Sequence, residues 1–590
     1  MSAAEPMSAS EAMSASEPMP ALPAPDERLR AVVVIPARDE ALRIGACLRA
    51  LQAQQGLELG EWELIVVLDG CRDATARIVR EAAIASAGTP VHAVELAWAA
   101  GVGRARRRGM DLGLQRLTSI GRDDGLIAST DADSTVAPDW LARQLELVRD
   151  GARAIGGHIE LDPGEIGLIS EEVLAQRELR RHERMRTVLA QRRQHGALTE
   201  HHQFSGASLA LTAEAYRACG GLPVRAALED EALERALDTL GIPIQRSRAV
   251  SVRTSARTEG RAPRGLARDL AVADWRARRS YDAAEFPLER LLEAKRTTVA
   301  LVLPAREVAH TLAPIAERAA ALREAGLLDE VLVIDAASGD GSARIAAAAG
   351  VRVVQQDELA PELGPAQGKG DAMWRALAAV DSEIVAFADT DTELFGEHFV
   401  TGLLGPLLCD PDVRLVKGHF RRPFRAHDSV TPEGGGRVTE LLARPLLNLH
   451  APELAVFDQP LAGEIAARRE LLEQIPFSAG YGVEIGMLID AWRIAGLDAL
   501  AQVDLGVRQN RHQPLRELSA MAYAVLVAAS TRLLGEEFAD AHACGSLSLP
   551  PLPGERQMET RRVPIEERPP LRRYRRGRGG SAGNASICAV

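Results

Sequence analysis

The stretch Glu383-Ile384-Val385-Ala386-Phe387-Ala388-Asp389-Thr390-Asp391 constrains the fold of this chain more than any other: a short apolar run ends in two carboxylates two residues apart. A run of that length bounded by charge fits a buried central strand of a parallel sheet. Ligands of open α/β sheets bind beyond the carboxyl ends of such strands. At a period of two, positions 389 and 391 share a side, so both carboxylates can reach one hard cation that also binds a diphosphate. The same device occurs at Gly125-Leu126-Ile127-Ala128-Ser129-Thr130-Asp131-Ala132-Asp133. A lone acidic pair of this kind is more often a solvated turn. Two copies in matching contexts outline nucleotide-sugar sites.

With 590 residues the chain exceeds what one hydrophobic core holds, so two domains and tails are expected. The net charge of -12 argues against general nucleic-acid binding, although Arg572-Arg573-Tyr574-Arg575-Arg576 is locally basic. Six cysteines without C-x-x-C spacing give neither a zinc site nor a disulfide framework, and a reducing cytoplasm is the simplest location. The N-terminus lacks the basic start and apolar segment of a secretory signal. Apolar runs stay short of the eighteen or so residues that span a bilayer, the nearest being Met521 to Ala529, so membrane attachment is expected to be peripheral at most.

Residues 1–28 repeat a Met-Ser-Ala unit, turn Pro-rich, and read as a disordered tail. Ala31 to Ile35 then forms a buried strand, running through Pro36-Ala37-Arg38-Asp39-Glu40 into an amphipathic helix. A second strand, Glu63 to Leu68, ends at Asp69-Gly70-Cys71-Arg72-Asp73. Strand, polar loop and helix in repetition is the doubly wound α/β pattern. A dinucleotide-binding dehydrogenase would carry G-x-G-x-x-G in the first of these loops, which this chain lacks; Gly101-Val102-Gly103 reads as a loop. Residues 276–296 look like a helical connector. The programme then restarts: Thr298 to Glu307 mirrors the first strand and loop, and Glu330 to Asp340 the second, an internal repeat on the scale of a domain. The expected division is a tail over 1–28, domains over 29–275 and 297–545 flanking the connector, and a Pro-, Gly- and Arg-rich disordered tail over 546–590.

In the second half, Gly368-Lys369-Gly370 places a cation at a helix start, suited to a diphosphate or sugar. Gly434-Gly435-Gly436-Arg437-Val438-Thr439 combines a backbone free to turn N–H groups towards an anion with an arginine fork and a hydroxyl, which suits an anionic substrate.

Residues 30–275 resemble the family 2 glycosyltransferases with the GT-A fold. The resemblance rests on Pro36 to Glu40, Asp69 with Asp73, Thr130 to Asp133, Phe204-Ser205-Gly206-Ala207-Ser208 and Glu229-Asp230. It implies that Pro36, Asp39, Asp69 and Asp131 bind the donor, that Asp133 binds metal, and that Asp230 is the base of an inverting transfer. The physics fits: inversion needs a base opposite the leaving group, and a metal to take up its developing charge. Asp230 also fits an acidic first helical turn favoured by the helix dipole.

Residues 297–530 resemble the glucosyl-3-phosphoglycerate synthase family, through the motifs at Lys369, Asp389 to Asp391, Gly434 to Thr439, Gln459-Pro460-Leu461-Ala462-Gly463-Glu464, Gly480 to Gly486 and Gln502 to Arg508. This implies a retaining GT-A transferase moving glucose from UDP-glucose to 3-phosphoglycerate with Mg²⁺ or Mn²⁺. Donor contacts fall on Pro304, Ala305, Asp335, Lys369, Asp389, Leu461, Ala462 and Gly463. The acceptor falls to Gly436, Arg437, Thr439 and His512, the metal to Asp391 and Asn510, and the reacting centre to Glu484. Two departures stand out. The family's His-Arg-Asn is here Asn510-Arg511-His512, and its Asn-Glu-Glu in the first loop is Glu307-Val308-Ala309. The expected partners are small molecules, with a homodimer left open. Two alternatives are a C-terminal half that only binds donor or dimerises, and a non-enzymatic sensor or scaffold; intact acids in both halves count against the second.

Overall fold

The computed structural model describes residues 22–579, apart from 86–87, 97–98, 193–196, 226–227, 261–264, 427–428, 432–435, 510–512, 536, 538–543, 553 and 555. The chain divides into two compact units, Met1–Asp274 and Trp275–Val590.

In the N-terminal unit an eight-stranded sheet runs, edge to edge, Val91–Glu95, Trp62–Leu68, Ala31–Ala37, Leu126–Ser129, Leu209–Thr212, Ala154–Leu161, Ile244–Thr254 and Ser134–Val136. The four strands from Val91–Glu95 to Leu126–Ser129 are mutually parallel, and Leu209–Thr212 is antiparallel to both its neighbours. Near-continuous Val, Ile and Leu make these strands apolar on both faces, so each face needs a cover. Val33, Ile35, Leu64 and Val66 pack with Ile44, Leu48 and Leu51 of helix Ile44–Gln52. Val32, Val34, Ile65 and Val67 pack on the opposite face with Ala105, Met110 and Leu112 of helix Val102–Ser119. Each such aliphatic side chain contributes roughly 1.5–3 kcal/mol when fully buried. Gly109 lets that second helix lie close, since a Cβ there would run into Val34.

The C-terminal unit repeats the plan: Arg352–Gln355, Glu330–Asp335, Val299–Ala305, Ile384–Phe387, Ile465–Arg468, Leu415–Arg421, Leu500–Val507 and Ser280–Asp282. Its fifth strand is again antiparallel to both neighbours. The sheets differ at the eighth strand. In the first unit it follows the acidic loop directly; in the second it comes from the segment expected to be a connector.

That expectation is corrected. Ser280–Asp282 pairs in parallel with Gln502 to Asp504, and Ala283, Phe286 and Leu291 join the second core. Trp275 is 1% exposed and donates its indole N–H to the carbonyls of Leu497 and Leu500, each at 2.9 Å. Apolar residues spaced among charges look like a linker when their partners lie 220 residues away. The tail over 546–590 is corrected likewise as far as Gly579. Ser546–Leu549 pairs with Glu559–Arg562, Glu567–Arg568 pairs with Phe477–Ser478, and Leu571–Gly579 is helical. Its Pro and Arg composition hides specific docking contacts, among them Arg568, which forms a two-pronged pair with the fully buried Asp371 at 2.8 and 2.6 Å. Residues 1–21 of the expected N-terminal tail lie outside the described residues.

One further expectation changes. Gly101-Val102-Gly103 is a helix start rather than a loop, with Gly101 at φ 90° just before Val102–Ser119. Helix Leu515–Leu534 is long and apolar enough to cross a membrane by length and composition. Here it packs on Val483–Ala495, and Arg532 near its end pairs with Asp490 at 2.7 Å and Glu567 at 2.6 Å.

Candidate active site

Beyond the carboxyl ends of the second sheet lies a cleft of about 750 Å³, lined among others by Pro304, Ala305, Lys369, Asp389, Asp391, Gly436, Arg437, Thr439, Leu461, Ala462 and Glu484. Strand Ile384–Phe387 delivers the acids. The turn after it is fixed by Thr390, whose hydroxyl donates to Pro304 O at 2.5 Å and whose carbonyl accepts from Thr311 at 2.6 Å. Lys369, first residue of helix Lys369–Ala379, donates to Asp389 at 2.5 Å and to Glu484 at 2.8 Å. Glu484 stands in the first turn of Val483–Ala495 and is 6% exposed. Gly463 leaves room for this pair, because a Cβ would fall on Lys369 Nζ and within 2.6 Å of both Asp389 oxygens and would displace them.

Arg508, just past strand Leu500–Val507, ends the Gln502 to Arg508 motif and is a site residue whose role the sequence does not reveal. Its Nη2 donates to Asp389 at 2.9 Å and Asp391 at 2.7 Å, its Nη1 to Glu464 at 3.0 Å, and its guanidinium lies over the Phe420 ring, 5.1 Å from the centroid. Burial would raise Asp389, but Lys369 and Arg508 outweigh it and hold the carboxylate well below its usual range. Glu464, fully buried, is pushed up to about 7 by burial against the pull of Arg508. Lys417 is 1% exposed, is pushed down to about 7 chiefly by burial, and tethers the Leu461–Gly463 loop by donating to Ala462 O at 2.9 Å.

Asp391 is the most open acid, its side chain half exposed towards the cleft, and two carboxylates of this kind suit Mg²⁺ or Mn²⁺. Among the described residues no three His, Cys, Asp or Glu converge on one point. Such a cation would therefore need oxygens from a substrate diphosphate, as Mg²⁺ commonly does. Asn510 and His512 lie outside the described residues. Asp335, 1% exposed, accepts from Ser338 N at 3.0 Å and Gln355 at 2.9 Å on one oxygen, while the other is buried with no partner among the described residues. Glu307 instead turns to accept Gly339 N at 2.8 Å, bracing the neighbouring loop.

The N-terminal unit carries the same constellation with other residues. Arg106, 2% exposed on helix Val102–Ser119, donates to Asp131 at 2.5 Å and also to Glu229, as Lys369 does to Asp389 and Glu484. Arg257, past strand Ile244–Thr254, pairs with Asp133 at 2.8 Å and with both oxygens of Glu40, in the place of Arg508. Burial, against the pull of Arg106, raises Asp131 to about 6. The clamped acid is Glu229 rather than its neighbour Asp230, whose carboxylate accepts Gly206 N at 3.3 Å and Glu231 N at 2.9 Å. Asp69 is capped by Ala100 N and Gly101 N at 2.5 and 3.0 Å, and Asp39, at φ 49°, braces Arg72 N at 2.6 Å. Pro36 is buried inside its strand. Arg106 follows a Gly101-Val102-Gly103 pattern that reads as a loop, and Arg257 is legible only by its sheet position.

Residues 32–210 and again 301–431 match the model of a family described as glycosyl transferase family 2. The glucosyl-3-phosphoglycerate synthase of Mycolicibacterium paratuberculosis is 45% identical over 272 residues, 45% of this chain and 82% of that protein. The enzyme of the same description from Petrotoga mobilis is 37% identical over 307 residues, 50% of this chain and 93% of that one. A crystal structure of glucosyl-3-phosphoglycerate synthase from Mycobacterium tuberculosis, in complex with Mn²⁺, UDP-glucose and phosphoglyceric acid, is 40% identical and covers 49% of this chain and 95% of that one, with a TM-score of 0.44.

Proposed function

Because the chain belongs to glycosyl transferase family 2 and is a glycosyltransferase, we propose that its C-terminal unit moves glucose from UDP-glucose to the 2-hydroxyl of 3-phosphoglycerate with retention, and that its N-terminal unit is an inverting transferase acting on a different acceptor. The observation that carries the first part is the cleft itself, where the cation Lys369, the acids Asp389, Asp391 and Glu484, and the anion-binding pair Arg437 and Thr439 line one space. Pro304, Ala305 and the unpartnered oxygen of Asp335 suit the nucleoside, Lys369 and the Leu461–Gly463 loop the sugar, and Gly436, Arg437 and Thr439 the acceptor phosphate. Gly436 at φ 74° turns the backbone at the start of that cradle. A Mg²⁺ or Mn²⁺ ion held by Asp391 with Asp389 would take up the charge of the leaving diphosphate. Glu484, held by Lys369 at 2.8 Å, is the acid this reading assigns to the reacting centre.

The second part is supported by the repeated clamp of Arg106 on Asp131 and Glu229. Asp230 remains the proposed base there, with Asp133 for metal and Pro36, Asp39, Asp69 and Asp131 around the donor.

UDP release by purified protein with UDP-glucose, Mg²⁺ and 3-phosphoglycerate tests the reading. Release should depend on 3-phosphoglycerate, vanish in Asp391→Ala and persist in Asp133→Ala. No acceptor-dependent release with either metal refutes the synthase reading.

A further inference from the structure

Lys369 and Glu484, 2.8 Å apart in the C-terminal unit, each stand in the first turn of a helix, Lys369–Ala379 and Val483–Ala495. The segment Phe477 to Gly480, which leads into the second helix, also holds the start of the first. Asp371 N donates to Ala479 O at 3.0 Å. Gly368 and Gly370 allow this approach, since a Cβ on either would strike the carbonyl of Ala479 or of Ser478. The same segment carries Pro564 to Arg568. Ala479 N donates to Glu566 O at 2.8 Å, the Ser478 hydroxyl donates to Glu567 at 2.9 Å, and Gly480 makes room for Pro564 O. Pro564 itself lines the cleft.

Arg568 closes this arrangement. It donates two hydrogen bonds, at 2.8 and 2.6 Å, to Asp371, two residues after Lys369. The fully buried Asp371 also accepts from Gln367 N and Arg375, each at 3.0 Å, and both belong to the same stretch of chain. Arg568 comes from 197 residues away, so it ties this helix start to the segment from which the Glu484 helix begins. A two-pronged guanidinium–carboxylate pair fixes direction as well as distance, which a point charge does not. Lys369 then has its place between Asp389, at 2.5 Å, and Glu484.

We propose that Arg568 is a positioning residue of the C-terminal unit's site: through Asp371 it sets the start of helix Lys369–Ala379 and so holds Lys369 between Asp389 and Glu484. Its effect on turnover rests on the reading of that unit as the synthase; the placement of Lys369 does not. Arg437 and Thr439 stand on a different stretch, between strands Leu415–Arg421 and Ile465–Arg468, so acceptor affinity is independent of Arg568.

Two measurements on the full chain test this. The lysines are Lys295, Lys369 and Lys417, so brief acetylation with acetic anhydride, read by peptide mass spectrometry, compares Lys369 with Lys295 without substrate or turnover. At a temperature where its circular dichroism matches wild type, Arg568→Gln should raise that ratio about tenfold, because the amine reacts when local opening releases it from its acids. Arg568→Lys, which keeps the charge without the fork, should raise it by a smaller factor, so the result does not depend on the first variant folding. In turnover of UDP-glucose with Mg²⁺ and 3-phosphoglycerate, Arg568→Gln should lower kcat about tenfold and leave KM for 3-phosphoglycerate within about twofold of wild type, with Arg568→Lys recovering part of kcat. Lys369 labelling equal to wild type in both variants, or a raised KM with unchanged kcat, overturns the proposal. Absence of 3-phosphoglycerate-dependent turnover in wild type refutes the synthase reading instead, and the labelling then decides the placement of Lys369.

Discussion

Arg568→Ala should loosen the whole C-terminal strap. Asp371 is fully buried and its carboxylate accepts four hydrogen bonds, two from Arg568, one from Arg375 at 3.0 Å and one from Gln367 N at 3.0 Å. Burial would raise its pKa, but Arg568 and then Arg375 outweigh burial and hold it below the usual carboxylate value. Removing one partner of a buried pair costs about 3–5 kcal/mol. Arg375 remains, so the lower end applies, about 3 kcal/mol, or roughly a hundredfold in the opening equilibrium of the strap. Trypsin cleavage at Arg561 and Arg562, under conditions where reclosing outpaces cleavage, tracks that equilibrium. A rate within threefold of wild type refutes the reasoning. Asp371→Asn combined with Arg568→Met should not recover the loss, since neutralising Asp371 leaves the fully buried Arg375 guanidinium without its carboxylate. The sign with pH follows from the lowered folded-state pKa: the pair's contribution is complete above the ordinary value near 4 and disappears as pH falls through the folded one, so wild type should open in acid and Arg568→Ala should show no such transition.

Gly463→Ala should lower UDP-glucose turnover about a hundredfold, because an added methyl displaces Lys369 and Asp389 by the order of an ångström; near-normal turnover in a steady-state assay would contradict the geometry. The raised folded value of Glu464 makes its contribution largest below its ordinary pKa of 4.5 and progressively lost as pH rises through about 7. Urea midpoints of Glu464→Gln should therefore fall less than wild type between pH 5 and pH 8. Arg106→Met leaves Glu229 buried and unpaired and should destabilise the N-terminal unit by about 3 kcal/mol, read as a lower midpoint for that unit's transition.

Strand ends and their acids were legible because a buried parallel strand leaves a long apolar run and stops at charge: Asp389, Asp391, Asp131 and Asp133 stand where the runs of Ile384–Phe387 and Leu126–Ser129 predict. The cations that face them were harder to read. Lys369 sits between glycines at a helix start and draws notice, whereas Arg106 lies inside an arginine-rich helix and Arg508 ends a strand, where nothing in the local pattern tells a site residue from a surface one. Arg257 and Glu229 matter only through partners more than a hundred positions away. Ser280–Asp282 and Glu567–Arg568 were missed for the same reason: strands of three and two residues leave no periodicity, and their stabilisation comes from remote elements.

The edge strand Ser280–Asp282 also bears on how the protein is made. Residues emerge from the ribosome in order, and domains generally fold as units from the N-terminus onward. The strand's partner, Gln502 to Asp504, is synthesised some 220 residues after it. Phe286 lacks its partner helix until His398–Cys409 has emerged, and Trp275 lacks the carbonyls of Leu497 and Leu500 until the end of that interval. The nascent second unit thus carries an unpaired edge beside the unburied Trp275 for most of its translation, and that window, rather than the finished fold, is where chaperone binding or aggregation would concentrate.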